Sequence, residues 1–130
     1  MRIDHVSLLV ADVPRALRFY SGTLGLRELS RPPGAAPGAW LALGEQQLHL
    51  IAEREPGQAA ALHPGYADAD AAIGYGSHVA LAVPDLDATL AALGANDVAP
   101  VGDVDVRGDG VRRAFLRDPD GHVVEMIQAP

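Results

Sequence analysis

Apolar residues recur at every second position near the start of the chain, at Val6, Leu8 and Val10. A period of two is typical of a strand with one buried face. The apolar residues that follow Asp12 are instead spaced three or four apart, which predicts an amphipathic helix. Asp12 can cap the start of this helix, and Gly25 can end it. The chain is therefore predicted to open with a strand and a helix.

The same order of patterns returns from His78 onward. Alternating apolar residues again predict a strand, and Asp85 is placed to cap a second helix that Gly94 can end. Both predicted strands begin with a histidine, since His5 in the first copy corresponds to His78 in the second. The repetition predicts two copies of one structural module.

Each predicted helix is followed by three runs with the composition of short strands. The predicted strands lie at 26–31, 39–43, 46–53, 98–101, 111–117 and 122–128. The sequence DPDG at 118–121 predicts a tight turn that makes a hairpin of the last two strands. The predicted fold class is α+β, with two βαβββ modules related by pseudo-twofold symmetry.

A chain of 130 residues has the length of one ordinary domain with a real hydrophobic core. We predict a single domain over 1–130, with module one at 1–53 and module two at 76–130. The segment 54–75 between them is long enough to be either a linker or a lid.

Composition excludes several classes of function. The net charge of −7, without a basic cluster, argues against binding to nucleic acid. No apolar run is long enough to cross a membrane and the N-terminus lacks a signal-peptide core, so we expect a cytoplasmic protein. The chain has no cysteine and no lysine, which excludes thiol and lysine Schiff-base chemistry.

Four residues that can bind metal fall at two pairs of equivalent positions. His5 corresponds to His78, and alignment of the last strands places His49 opposite Glu125. A single histidine in an apolar strand is more often a hydrogen-bonded core residue than a ligand. A carboxylate buried in a strand, however, is costly unless it is paired or bound to a cation. Together the four residues favour metal binding, whereas His122 and His63 are predicted to be solvated.

The two modules, their leading histidines and the element FxxDPDGxxxE, from Phe115 to Glu125, resemble the vicinal oxygen chelate superfamily over essentially the whole chain. That superfamily includes glyoxalase I, methylmalonyl-CoA epimerase, fosfomycin-resistance transferases, extradiol dioxygenases and bleomycin-binding proteins. The resemblance implies curled mixed sheets around a metal cavity, and a homodimer. It also implies one divalent metal ion per chain, which can be Zn, Ni, Co, Fe or Mn. The implied ligands are His5, His49, His78 and Glu125.

The same resemblance implies a lyase or isomerase that acts on a small oxygenated metabolite. Four protein ligands leave two adjacent positions on an octahedral ion, which suits chemistry through a metal-stabilised enediolate with Glu125 as the base. Arg113, Phe115 and Trp40 are candidate substrate-binding residues, although Arg113 can equally be a surface residue and Trp40 can fill the core.

Two alternatives stay open, an extradiol-type ring-cleaving dioxygenase and a non-catalytic small-molecule binding or drug-resistance protein. The chain departs from glutathione-dependent glyoxalase I at His49, where that enzyme usually has a glutamate, and at Leu9, where it has an arginine. It departs from the dioxygenases at Phe115, where they tend to carry a tyrosine. It also lacks the lysine of the fosfomycin transferases.

Overall fold

The computed structural model describes residues 1–62 and 73–130. The chain divides into two compact units, Met1–Leu62 and His63–Pro130. The division falls inside the segment predicted to be a linker or lid. Part of that segment, including His63, lies outside the described residues.

The first unit contains one four-stranded sheet. Its elements are β1 (His5–Val10), α1 (Val13–Leu17), a π-helical extension of α1 (Arg18–Thr23), β2 (Glu28–Leu29), β3 (Gly38–Leu43), β4 (Gln46–Ala52) and α2 (Gln58–Ala61). The strand order is β1-β4-β3-β2, with β1 parallel to β4 and the other pairs antiparallel. The last long strand of the unit therefore lies beside the first.

The second unit repeats this arrangement. Its elements are β5 (His78–Ala82), α3 (Leu86–Gly94), β6 (Val101–Val106), β7 (Arg112–Arg117) and β8 (Val123–Gln128). The strand order is β5-β8-β7-β6, and β5 is parallel to β8. The predicted α+β class with two βαβββ modules and mixed sheets is confirmed. A cavity enclosed by both sheets stays a prediction.

One face of each sheet carries the hydrophobic core. In the first unit α1 packs on β3 and β4, and Leu41, Leu48 and Leu50 are fully buried. In the second unit α3 packs on β8, with Leu86 and Leu93 buried. Truncation of such a leucine to alanine costs about 2–5 kcal/mol of stability. Because side chains alternate along a strand, the opposite face of each sheet is left for the polar residues.

Both predicted helix caps are confirmed. Oδ1 of Asp12 accepts a hydrogen bond of 2.7 Å from the backbone N–H of Arg15, and Oδ1 of Asp85 accepts one of 2.9 Å from Ala88. Each bond satisfies an N–H group that has no partner within its own helix. Among the described residues, no helix is long and apolar enough to cross a membrane.

Several element boundaries differ from the prediction. The first helix is α-helical only to Leu17 and then widens into a π-helix, where the N–H of Leu24 donates to the carbonyl of Phe19. The strand predicted at 26–31 shortens to Glu28–Leu29, and the short helix Gln58–Ala61 was not predicted.

The strand predicted at 98–101 is wrong, because β6 runs from Val101 to Val106. Pro100 has no N–H group to donate to a ladder, which disfavours pairing before Val101. Gly102 has a positive φ of 72°, and the register shifts between Val101 and Asp105. The strand therefore starts at an irregularity and continues into a polar stretch.

The DPDG turn between β7 and β8 is organised by one buried carboxylate. Oδ1 of Asp118 accepts hydrogen bonds from the N–H groups of Asp120, at 2.9 Å, and His122, at 2.8 Å. The N–H of Gly121 donates to the carbonyl of Asp118 at 3.0 Å, and Gly121 has a φ of 86°. This left-handed conformation favours glycine. The turn thereby holds the register of β8, the strand that carries Glu125.

We expect Asp118→Ala to destabilise the protein by about 1–3 kcal/mol, because two N–H groups in the turn lose their shared acceptor. Asp118→Asn is the matched control, since its amide oxygen can still accept both bonds. Urea denaturation of the two variants measures the difference. Equal stability of the two variants would show that the side-chain acceptor does not hold the turn.

Candidate metal and substrate site

The polar face of the first unit is centred on His49 in β4. This residue is only 8% exposed, and its ring lies between two others. The ring of His5 stacks on it with centroids 4.1 Å apart, and the ring of Trp40 stacks with centroids 4.2 Å apart. Register explains the arrangement, because Trp40 in β3 is the direct cross-strand partner of His49, and His5 in β1 pairs with Gln47.

Hydrogen bonds orient both imidazoles of this stack. Nε2 of His49 donates to Oε1 of Gln47 at 2.8 Å, and Nδ1 of His5 donates to Oδ2 of Asp4 at 3.0 Å. Metal-binding histidines commonly use one ring nitrogen for the ion and donate the other to a carboxylate or carbonyl oxygen. The orientation of both rings fits that use.

Burial lowers the pKa of His49, and the positive charges of His5 and Arg31 lower it further, against an opposing effect of Asp4. The hydrogen bond from His5 lowers the pKa of Asp4. His49 is therefore held in the neutral form, which is the form that binds metal ions.

The polar face of the second unit is centred on Glu125 in β8, which is only 5% exposed. Its cross-strand partners are Phe115 in β7 and Ala80 in β5. Oε2 of Glu125 lies 3.2 Å from Nε2 of His78, and Nδ1 of His78 donates to the carbonyl of Gly76 at 2.8 Å. Oε1 of Glu125 is buried without a hydrogen-bond partner.

Arg113 and Phe115 lie beside this carboxylate, on the same face of β7. The edge of the Phe115 ring meets the His78 ring, with centroids 6.0 Å apart, and the Arg113 guanidinium lies 5.3 Å from the Phe115 centroid. Nε and Nη2 of Arg113 donate to Oδ2 of Asp105, at 2.9 and 2.6 Å. Nη1 of Arg113 is 3.6 Å from Oε1 of Glu125.

The structure thus gathers the predicted site residues into two groups, one in each unit. His5, His49 and Trp40 are in contact in the first unit, and His78, Glu125, Phe115 and Arg113 are neighbours in the second. Within either unit, the described residues contain no group of three or more His, Asp or Glu side chains that could hold a metal ion. A four-ligand site drawn from both units stays a prediction.

Sequence reasoning missed the four groups that orient these residues. They are the side chains of Asp4, Gln47 and Asp105 and the carbonyl of Gly76. Strand alternation could have indicated Gln47, which shares a face with His49. Asp105 could have been found only after β6 was placed correctly, because its role follows from its pairing with Arg113.

The distance between His78 and Glu125 can be compared with that expected for two ligands of one ion. Donor atoms about 2.1 Å from a metal ion and at right angles to each other are separated by about 3.0 Å. The observed separation of 3.2 Å is close to this value. Oε1 of Glu125 is buried and accepts no hydrogen bond, and the Arg113 guanidinium lies 3.6 Å from it, so a bound ion would find a free acceptor there. The residues present therefore fit a divalent ion.

We expect His49 to weaken the fold as the pH falls. The pKa of His49 is below its ordinary value of 6.5 in the folded protein, so below that pH the unfolded chain binds the proton more readily. The stability that a neutral His49 contributes is therefore present above pH 6.5 and is lost as the pH falls from 6.5 to the lower folded pKa. Denaturation of wild type and of His49→Gln, in the presence of a chelator and between about pH 5 and 7.5, measures how the free energy of unfolding of each depends on pH. Identical pH slopes would contradict this expectation.

Comparison with known proteins gives the chain a family. The family model described as Glyoxalase/Bleomycin resistance protein/Dioxygenase superfamily matches residues 2–126. A lactoylglutathione lyase from Haemophilus influenzae is 33% identical over 132 residues, which cover 98% of this chain and 93% of that protein.

Solved structures share the fold. A glyoxalase family protein from Bacillus anthracis superposes with a TM-score of 0.78 at 24% identity, covering 100% of this chain and 96% of that one. TnmS3, an antibiotic binding protein from Streptomyces sp. CB03234, superposes with a TM-score of 0.71 at 26% identity, covering 100% and 97%. The resemblance noted from the repeated modules and the FxxDPDGxxxE element is confirmed, and the chain belongs to the Glyoxalase/Bleomycin resistance protein/Dioxygenase superfamily.

Proposed function

We propose that the protein is a divalent-metal-dependent lyase or isomerase that acts on a small oxygenated metabolite. The observation that carries the proposal is the environment of Glu125. This carboxylate is buried, its Oε1 has no hydrogen-bond partner, and its Oε2 faces Nε2 of His78 at 3.2 Å. Relatives named lactoylglutathione lyase, at 29% and 33% identity, support a lyase-like role.

The contact between His78 and Glu125 can hold either a proton or a metal ion. Nδ1 of His78 donates its hydrogen to the carbonyl of Gly76, so Nε2 presents a lone pair whenever the ring is neutral. That lone pair faces a carboxylate oxygen, which is also an acceptor. The two atoms repel each other unless a proton or a metal ion lies between them. In a buried site a divalent ion neutralises the carboxylate and satisfies both acceptors together.

We assign the metal to His5, His49, His78 and Glu125. Three imidazoles and one carboxylate suit zinc, nickel, cobalt, iron or manganese, and this donor set does not select among them. The bonds from His5 to Asp4, from His49 to Gln47 and from His78 to Gly76 would hold the rings in the orientation that binding requires.

When bound, a divalent ion would polarise a carbonyl oxygen of the substrate. Glu125 is then the base that removes the proton from the neighbouring carbon. Its Oε1 carries no hydrogen bond that the proton would have to displace, and its burial excludes competing water. Return of the proton from Glu125 to an adjacent carbon completes an isomerisation. Phe115 and Trp40 provide flat apolar surfaces for the substrate in their respective units.

Non-catalytic binding of a small molecule is the second candidate. The stack of Trp40, His49 and His5 is an aromatic surface that suits a planar ligand. The structural similarity to an antibiotic binding protein supports this alternative. Metal dependence and turnover distinguish it from the lyase or isomerase.

We expect one divalent ion per chain after chelation and dialysis against Ni²⁺ or Co²⁺. The ion should quench the fluorescence of Trp40, the only tryptophan, because its ring is stacked on His49. His78→Ala should weaken binding by at least about tenfold, since loss of an outer partner alone typically costs that much. His122→Gln is the control, because His122 is not a proposed ligand. A wild-type protein that binds no ion under saturating metal would refute the proposal and favour the binding protein.

We expect Glu125→Gln to retain some metal, because an amide oxygen can still coordinate, but to lose turnover by about 10²–10⁴-fold. The substrates to test are hemithioacetals of 2-oxoaldehydes and 2-substituted thioesters. His49→Glu is the companion variant, which should keep the metal and raise any weak hemithioacetal activity. Oxygen-dependent cleavage of a catechol by wild type, without isomerase activity on these substrates, would instead favour a dioxygenase.

A further inference from the structure

Arg113 is shared between two carboxylates of the second unit. Its Nε and Nη2 both donate to Oδ2 of Asp105, at 2.9 and 2.6 Å. Its Nη1 approaches Oε1 of Glu125 at 3.6 Å, which is too long for a hydrogen bond. One carboxylate is therefore bonded, while the other receives only the electrostatic influence of the guanidinium.

Strand register produces this unequal sharing. Asp105 in β6 is the direct cross-strand partner of Arg113, whereas Glu125 in β8 is the partner of Phe115, two residues further along β7. Arg113 must therefore reach Glu125 diagonally. The Phe115 ring lies 5.3 Å from the guanidinium and supports it from the side.

Arg112, the residue before Arg113, pairs with its carboxylate in a different way. Arg112 points to the opposite face of β7 and makes a two-bond pair with Asp87, Nη1 to Oδ2 at 2.9 Å and Nη2 to Oδ1 at 2.7 Å. Each oxygen of Asp87 thus accepts one bond. Arg113 instead directs two of its three donor nitrogens, Nε and Nη2, to a single oxygen of Asp105, which leaves Nη1 turned towards Glu125.

We propose that Asp105 restrains Arg113, so that Arg113 positions the Glu125 carboxylate electrostatically without forming a hydrogen bond to its Oε1. Arg113 is then a positioning residue, and Oε1 stays free for the proton transfer assigned to Glu125. The catalytic part of this inference rests on the proposed function. The restraint itself is a property of the second unit and can be measured without a metal.

Substitution of Arg113 and substitution of Asp105 should change the affinity for metal in opposite directions. A divalent ion on Glu125 competes with the nearby guanidinium, so Arg113→Ala should bind Co²⁺ more tightly, by about three- to tenfold. Asp105→Asn weakens the restraint and lets Arg113 close on Glu125, so it should bind Co²⁺ more weakly by a similar factor. The double variant should match Arg113→Ala, because Asp105 acts only through Arg113.

Equilibrium dialysis with Co²⁺ alone measures these affinities. Arg112→Ala and Asp87→Asn are matched controls that remove the same charges from the opposite face of the sheet, and they should change the affinity less than about twofold. Similar changes in the controls would show a general charge effect and overturn the inference. Unchanged affinity in Arg113→Ala, as expected if Arg113 only holds an anionic substrate, would also overturn it.

A double-mutant cycle in the metal-free protein tests the restraint independently. The coupling between Arg113→Ala and Glu125→Gln, measured by urea denaturation, should be larger when Asp105→Asn is also present, by roughly two- to tenfold in the unfolding equilibrium constant. An equal or smaller coupling would overturn the inference. If wild type binds no Co²⁺ but the coupling grows as expected, the proposed function fails while the restraint holds.

Discussion

Burial of the Glu125 carboxylate in the middle of β8 is the constraint on which the second unit depends. Removing an ionised carboxylate from water is costly, and the cost is recovered only by paired charges, hydrogen bonds or a bound cation. β8 is a central strand, bonded on both sides, so two ladders fix the backbone of Glu125 and its side chain lies on a face shared with β5 and β7. Its neighbours must therefore compensate the charge where it lies.

Each strand near Glu125 supplies part of that compensation. β5 contributes the imidazole of His78, and β7 contributes Arg113 together with the ring of Phe115. β6 contributes Asp105, whose carboxylate accepts the hydrogen bonds that Arg113 does not donate to Glu125. Compensation is incomplete, because Oε1 of Glu125 still has no hydrogen-bond partner. A fully paired carboxylate would be more stable but less able to accept a proton or bind an ion.

In the first unit, the position equivalent to Glu125 has the same strand order around it but holds an uncharged side chain. His49 stands where the second unit has Glu125, and burial lowers its pKa so that it carries no charge to compensate. Its neighbours are accordingly flat rings, His5 and Trp40, in place of charged groups. The two modules share one strand order but differ in their central residue, which is the neutral His49 in the first and the acidic Glu125 in the second.

Local sequence signals predicted those parts of the fold that depend on neighbouring residues. The caps at Asp12 and Asp85, the DPDG turn and the side-chain alternation of β4 and β8 all follow from interactions within a few positions. The candidate ligands His5, His49, His78 and Glu125 were also identified, because repetition marked them, whereas Arg113 and Phe115 were indicated by strand alternation and the family resemblance. The position of β6 was missed, since its pairing with β7 is decided by contacts such as that of Asp105 with Arg113.

Strand order places two potential metal ligands side by side in each module. In each unit the first strand pairs in parallel with the last long one, which places a histidine near the start of the module beside a donor near its end. One module therefore yields a pair of donors, His5 with His49 or His78 with Glu125. Catalytic zinc sites, for comparison, commonly use three protein ligands and structural sites four. Neither unit reaches that number within its described residues, so each module on its own offers a pair of potential ligands and not a complete metal site.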